Sequence, residues 1–148
     1  MAVRGIITGD KHLDKLLAGM PLKMQKKLSR KATRKAAKEI VLPDAQARAP
    51  FDTGDLEESL TVKAVTRKKN RVGHMVTTKE GFYRGDQFYG AFMEFGTKER
   101  QHKSGRPVGR IDPSIHQAFM RPAVYDNEGK IKTLYVTALD ELIREESK

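Results

Sequence analysis

The sequence predicts an α+β fold: an N-terminal helix pair that includes one long basic helix, a small antiparallel β-sheet, and a C-terminal amphipathic helix. Three observations lead there. Met24, Leu28, Ala32, Ala36 and Ile40 recur every fourth residue, which is the repeat of one helical face. Two runs rich in Val and Thr, Leu60 to Arg67 and Arg71 to Lys79, flank the polar Lys68-Lys69-Asn70, as in a β-hairpin. Ile131, Leu134, Tyr135, Ala138, Leu139, Leu142 and Ile143 form a second helical stripe.

A chain of 148 residues fits one domain with a core of ordinary size. We expect a single unit over residues 1–148, with 1–9 as a loose arm and 98–118 as an extended loop. No apolar run approaches the ~18 residues of a membrane span, and no signal-peptide core precedes the first helix. Synthesis in the cytoplasm and no membrane partner are therefore expected. Cysteine is absent, which excludes disulfides and thiolate metal sites. His12, His74, His102 and His116 are far apart and lack ligand spacing, so no metal or cofactor is expected. The formal net charge of +10 calls for a negatively charged neighbour, either nucleic acid, an acidic protein surface or a membrane face.

In chain order, Asp10 can cap a short helix ending near Leu17, with Leu13, Leu16 and Leu17 as its apolar face. Gly19-Met20 breaks it, and Pro21 suits the first position of the next helix. That helix sets Lys23, Lys26, Lys27, Arg30, Lys31, Arg34, Lys35 and Lys38 opposite its apolar stripe, with no acid before Glu39. Pro43 should end or kink it, since proline lacks a donor and crowds the preceding turn, and Asp44 to Arg48 can continue helical beyond the kink. Pro50 pushes Ala49 into extended geometry, and Thr53 can cap a helical turn over Asp55 to Ser59. After the hairpin comes the most hydrophobic run, Tyr89 to Thr97. Tyr89, Phe92, Met93 and Gly96 have helical spacing, and Gly96 suits a left-handed helix end. A buried strand is the competing reading, because aromatic residues also favour sheets. Lys98 to His116 is basic and rich in Gly and Pro. Phe119 to Ala123 is apolar again, with Pro122 placed to start a helix.

Glu94, inside the aromatic run, can be a structural carboxylate at the rim of the core that accepts backbone N–H bonds or pairs with an arginine. It could also be a catalytic acid with a raised pKa. Catalysis needs a second group, and none stands out. Asp52 and Asp55 read as turn and cap residues and not as a metal pair. There is no P-loop, dinucleotide fingerprint, Gly-x-Ser-x-Gly elbow or His-Glu-x-x-His motif, so no enzymatic activity is expected.

Three segments together carry a resemblance: Ala49-Pro50-x-x-Thr53-Gly54-x-Leu56, Tyr89-x-x-x-x-Glu94-Phe95-Gly96-Thr97, and Phe119-x-Arg121-Pro122-Ala123. In order and spacing, and with the leading Leu13-x-x-Leu16-Leu17 and Met20-Pro21, they resemble the tail-completion, or head–tail joining, proteins of long-tailed bacteriophages. Ala118 stands where that family usually has proline. The resemblance implies a non-enzymatic structural subunit of the virion neck, assembled in the host cytoplasm into a homo-oligomeric ring, a hexamer by that analogy. Its implied partners are copies of itself and adjoining neck proteins, on the head-completion side and the tail-terminator side. The motif residues take structural or interface roles. Lys23, Lys27, Arg30, Lys31, Arg34, Lys35 and Lys38 are candidates to contact DNA in the channel or an acidic partner. The alternative is a basic nucleic-acid-binding module without a virion role, although the lysine face lacks the interleaved aromatic residues of single-strand binders.

Overall fold

The computed structural model describes residues 11–50, 54–65, 72–81, 89–112 and 118–146. The expected arm 1–9, the cap residues Asp10 and Thr53, and the hairpin tip 66–71 lie outside them. The fold is α+β, as expected.

Helix α1 (Lys11–Ala18) leads into α2 (Leu22–Ala36). Pro21 sits at the N-cap with φ −57° and ψ 138°, one position before the place its fixed φ would also suit. Leu28, Ala32 and Ala36 of the predicted stripe are fully or nearly buried. They pack on α7 (Glu128–Glu146) through Ala138, Leu139 and Ile143, and Leu17, Met20, Met24 and Tyr135 close the edges. The small alanines allow α7 to lie close, and this contact is the first of two cores.

Pro43 does not end the helix. A π-helical turn over Ala37–Val41 precedes it, and α3 (Leu42–Arg48) runs on with proline in its first turn. The wider turn closes with the Leu42 amide on the Ala37 carbonyl, a bond spanning five residues where an α-helix spans four. This reset makes Pro43 the start of a new segment, where its missing donor costs little.

Ala49 is extended (φ −58°, ψ 136°), as its position before Pro50 requires. Helix α4 (Asp55–Ser59) starts from Gly54 in the left-handed conformation (φ 87°) with no side-chain cap. Strands β1 (Leu60–Ala64) and β2 (His74–Thr78) pair antiparallel, with Leu60 opposite Thr78 and Ala64 opposite His74. The aromatic run is helical: α5 spans Tyr89–Phe95. Gly96 follows at φ 75°, and its amide donates to the Phe92 carbonyl at 2.7 Å. The side chains of Phe92 and Phe95 are half-buried, and among the described residues the fully buried aromatic is Phe119.

The segment expected to be an extended loop contains a small ladder. Strands β3 (Arg100–Gln101) and β4 (Pro107–Gly109) pair antiparallel across a bulge. Strands of two and three residues in a Gly- and Pro-rich segment leave no periodicity to read. Helix α6 (Met120–Tyr125) then precedes α7. The second core lies among α3, α4, β1 and α6, built from Ala45, Leu56, Leu60, Phe119 and Ala123, with Val41, Tyr89 and Met93 against it.

Candidate functional site

The three motif segments meet around Glu94. Its side chain is 1% exposed, and four N–H groups donate to its carboxylate. Oε2 accepts the amides of Phe119 and Met120, each at 2.8 Å, and Oε1 accepts the Arg121 amide at 2.9 Å and Arg121 Nε at 3.0 Å. Arg121 Nη2 also donates to the Glu94 carbonyl. These amides are the donors that the first turn of a helix cannot satisfy internally, and a carboxylate there also complements the helix dipole. The next residue, Pro122, has no N–H. The Ala123 amide then begins the helical ladder on the Phe119 carbonyl at 3.4 Å. Glu94 thus caps α6 from 25 residues away, and every early donor of that helix is accounted for. The guanidinium of Arg121 also lies over the Phe95 ring, 5.5 Å from its centroid.

The first motif enters from the other side. Leu56 is buried against α5, where a Cβ on Gly90 would lie 2.7 Å from Leu56 Cδ1. Only glycine permits that approach without repacking. Tyr89 packs on the same core. Pro50 is half-buried at the exit of α3. Thr53 lies outside the described residues.

A β-arm leaves this junction. The Thr97 amide donates to the Ile111 carbonyl at 2.9 Å, and the Ile111 amide donates to Thr97 Oγ1 at 3.0 Å, clasping the arm at its base. Arg100 lies over the Phe92 ring, 5.2 Å from its centroid, bracing the first strand on α5. Beyond the clasp, residues 100–110 are all exposed, and Val108 is 56% exposed. An open cleft of about 600 Å³ at the base is lined by Phe95, Thr97, Lys98, Arg110 and Asp112 among others. It has charges of both signs and no enclosed space for a small molecule.

The structure separates the basic face of α2 from this junction. Lys23, Lys31, Arg34 and Lys38 are exposed, and Arg30 is half-buried. None of these five has an acidic partner among the described residues. Lys26 and Lys27 have partners of their own, and Lys35 reaches Glu141 of α7 at 3.5 Å. Against the same face lies His74, the first residue of β2. Thr33 Oγ1 donates to the Ser29 carbonyl at 2.8 Å and lies 2.9 Å from His74 Nδ1. Desolvation lowers the His74 pKa, helped by the positive charges of Arg34 and Arg30.

A polar group that sequence reasoning missed ties α3 to the joint between α6 and α7. Arg48 bridges Asp44 at 2.8 Å and Asp126 at 2.7 Å, and the buried Asn127 donates to Asp44 at 2.9 Å and to the Ala123 carbonyl at 3.1 Å. The hydrogen bond that Arg48 donates to Asp126, with both carboxylates nearby, raises the Arg48 pKa. The i, i+4 spacing of Asp44 and Arg48 was visible in the sequence, but nothing local indicated their partners. Among the described residues, no group of three His, Asp or Glu side chains could hold a metal ion, and no helix is long and apolar enough to cross a membrane.

Residues 10–96 match the model of the family described as "Bacteriophage HK97-gp10, putative tail-component". The chain belongs to this family. No curated protein and no solved structure matches it. The HK97-gp10-like span runs from α1 through α5 and Gly96. It therefore includes the basic helix, the first motif segment and the second up to Gly96. The third segment lies beyond the match, yet Glu94, at the end of the matched span, caps it directly. Membership supports a structural role in the phage virion as a tail component.

Proposed function

We propose that the protein completes the phage tail at the head–tail interface, as a subunit of a closed homo-oligomeric ring of six copies. The observation that carries this reading is the clasped arm at residues 97–111. A fully exposed β-ladder held rigidly on a buried junction is suited to reach a neighbour, and it buries little on its own subunit. Its cations Lys98, Arg100, Lys103, Arg106 and Arg110 outnumber Glu99. On the same protein, Glu57 and Glu58 are exposed on α4 and make no ion pair among the described residues. An arm on one copy and α4 on the next give a head-to-tail contact, which closes into a ring when the rotation permits. In this reading the ring sits between head-completion and tail-terminator proteins. It forms in the host cytoplasm before entering the virion, and the basic face of α2 is turned to the DNA channel or to an acidic neck protein.

The absence of cysteine allows a direct test. Lys103→Cys combined with Glu57→Cys should, on mild oxidation, give a ladder of linked subunits that stops at the ring number. Each single variant should give none. A double variant that stays monomeric on oxidation in finished tails would sink the arm-to-α4 contact. Limited proteolysis should also cut near Lys103 and Arg106 in the isolated subunit and fail in finished tails.

A further inference from the structure

We propose that Arg30, Arg34 and His74 together form a binding site for a phosphodiester group of nucleic acid. The site is built from two elements. Arg30 and Arg34 are one helical turn apart on α2, at the spacing that puts side chains on one face. Thr33, between them, holds the imidazole of His74 against the helix at 2.9 Å. Thr33 Oγ1 occupies the Nδ1 side of the ring, which leaves Nε2 as the nitrogen to meet an incoming negative charge.

The charged neighbours are positive almost without exception. Arg34 and Arg30 act on the ring from α2. The π turn packed on β2 carries Lys38 and Glu39, both exposed. On β1, Lys63 flanks Ala64, the residue paired with His74, and donates to the Lys79 carbonyl. No acid pairs with Arg30 or Arg34 among the described residues. Two guanidinium groups on one helix face, neither with an acidic partner among the described residues, offer a place for an anion from outside, and guanidinium geometry suits phosphate oxygens. A lone protein carboxylate would neutralise one cation. Lys23, Lys31 and Lys38 continue the row along the helix, also without an acidic partner among the described residues, so a polyanion with repeated phosphates answers it better. This proposal rests on the reading of the α2 face as turned toward an anionic partner.

The test is nuclear magnetic resonance of the His74 ring in the full-length protein, with a short mixed-sequence DNA duplex and, separately, with inorganic phosphate. Duplex binding should move the His74 ring signals and shift its titration midpoint to higher pH, since a bound anion favours the imidazolium. Replacing Arg30 and Arg34 by Gln should abolish both changes. It should also reduce the steepness of log K against log salt by roughly 1–2, at about 0.9 per phosphate contact. Far-ultraviolet circular dichroism checks that the variant folds. If the duplex binds and His74 does not respond, the site is overturned while the α2 face survives as a DNA surface. If phosphate moves His74 but the duplex does not bind, the nucleic-acid assignment is overturned. If neither ligand has any effect, both readings fall together.

Discussion

Glu94 and Arg30 show how differently one charge can be used in the same small protein. The carboxylate of Glu94 is buried, and four N–H donors surround it. The guanidinium of Arg30 is half-buried beside Arg34, with no acid near it among the described residues. A charge whose partners are all internal has its energy committed to the fold. A charge held among its own kind raises the energy of the free subunit, and a partner of opposite sign would relieve it. Composition alone cannot make this distinction, because each residue is simply one charge in the count. The junction is therefore architecture, and the α2 face is the side on which to look for ligands.

The largest effect should come from emptying the junction. Glu94→Ala would strand three helix-start amides and the Arg121 guanidinium, and should cost about 3–5 kcal/mol, the usual range for breaking a buried pair. Glu94→Gln should also destabilise, by about 2–3 kcal/mol, because its NH2 group would face N–H donors. Urea unfolding measures both. A Gln variant as stable as the parent would break the distinction drawn here. Next in size is Gly90→Ala, whose new methyl group meets Leu56 and should cost about 1–3 kcal/mol as an overpacked contact. Replacing Lys31 and Lys38 by Gln should change stability by no more than about 0.5 kcal/mol. It should nonetheless flatten the salt dependence of any DNA binding. A large loss of stability instead would show that the α2 face belongs to the fold.

The smallest effect concerns pH. The folded state lowers the His74 pKa, so the unfolded chain binds this proton more readily. Its contribution is present above the unfolded value near 6.5 and is lost as pH falls through the folded value. His74→Asn should remove that part of the slope between mildly acidic and neutral pH in thermal unfolding.

Much of the frame was legible in the sequence because it is periodic. The stripe Leu28, Ala32, Ala36 and its counterpart Ala138, Leu139, Ile143 state which helices meet. Between Tyr89 and Gly96 helix and buried strand both stayed open in the sequence, and the structure decides for the helix α5. A helix resuming over Asp44 to Arg48 was legible beyond Pro43, but the π turn that lets the helix run on was not, because no local signal marks a bond spanning five residues. At Glu94 both structural alternatives turned out to operate at once: it accepts backbone amides and pairs with an arginine. The partners themselves could not be read, since they lie on a segment 25 residues away whose proximity depends on the whole fold. The same limit hid the Arg48 bridges and the seat of His74 on α2. The three motif segments could be recognised one by one, but only in three dimensions do they become a single junction.

The π turn at Ala37–Val41 can be seen as an angular gear. One residue advances an α-helix by about 100°, so one extra residue in a turn rotates everything downstream by about that angle around the axis. Upstream of it, Leu28, Ala32 and Ala36 look toward α7. Downstream, Ala45 looks toward Leu56 and Phe119. A single rod thereby serves two cores that do not lie along one straight stripe. Were the same residues wound at a uniform α pitch, Ala45 would advance by about 100° and turn out of the second core, and the Pro43 ring would press on the carbonyl of the preceding turn. The π turn thus couples the half of the molecule that carries the basic face to the half that carries the arm.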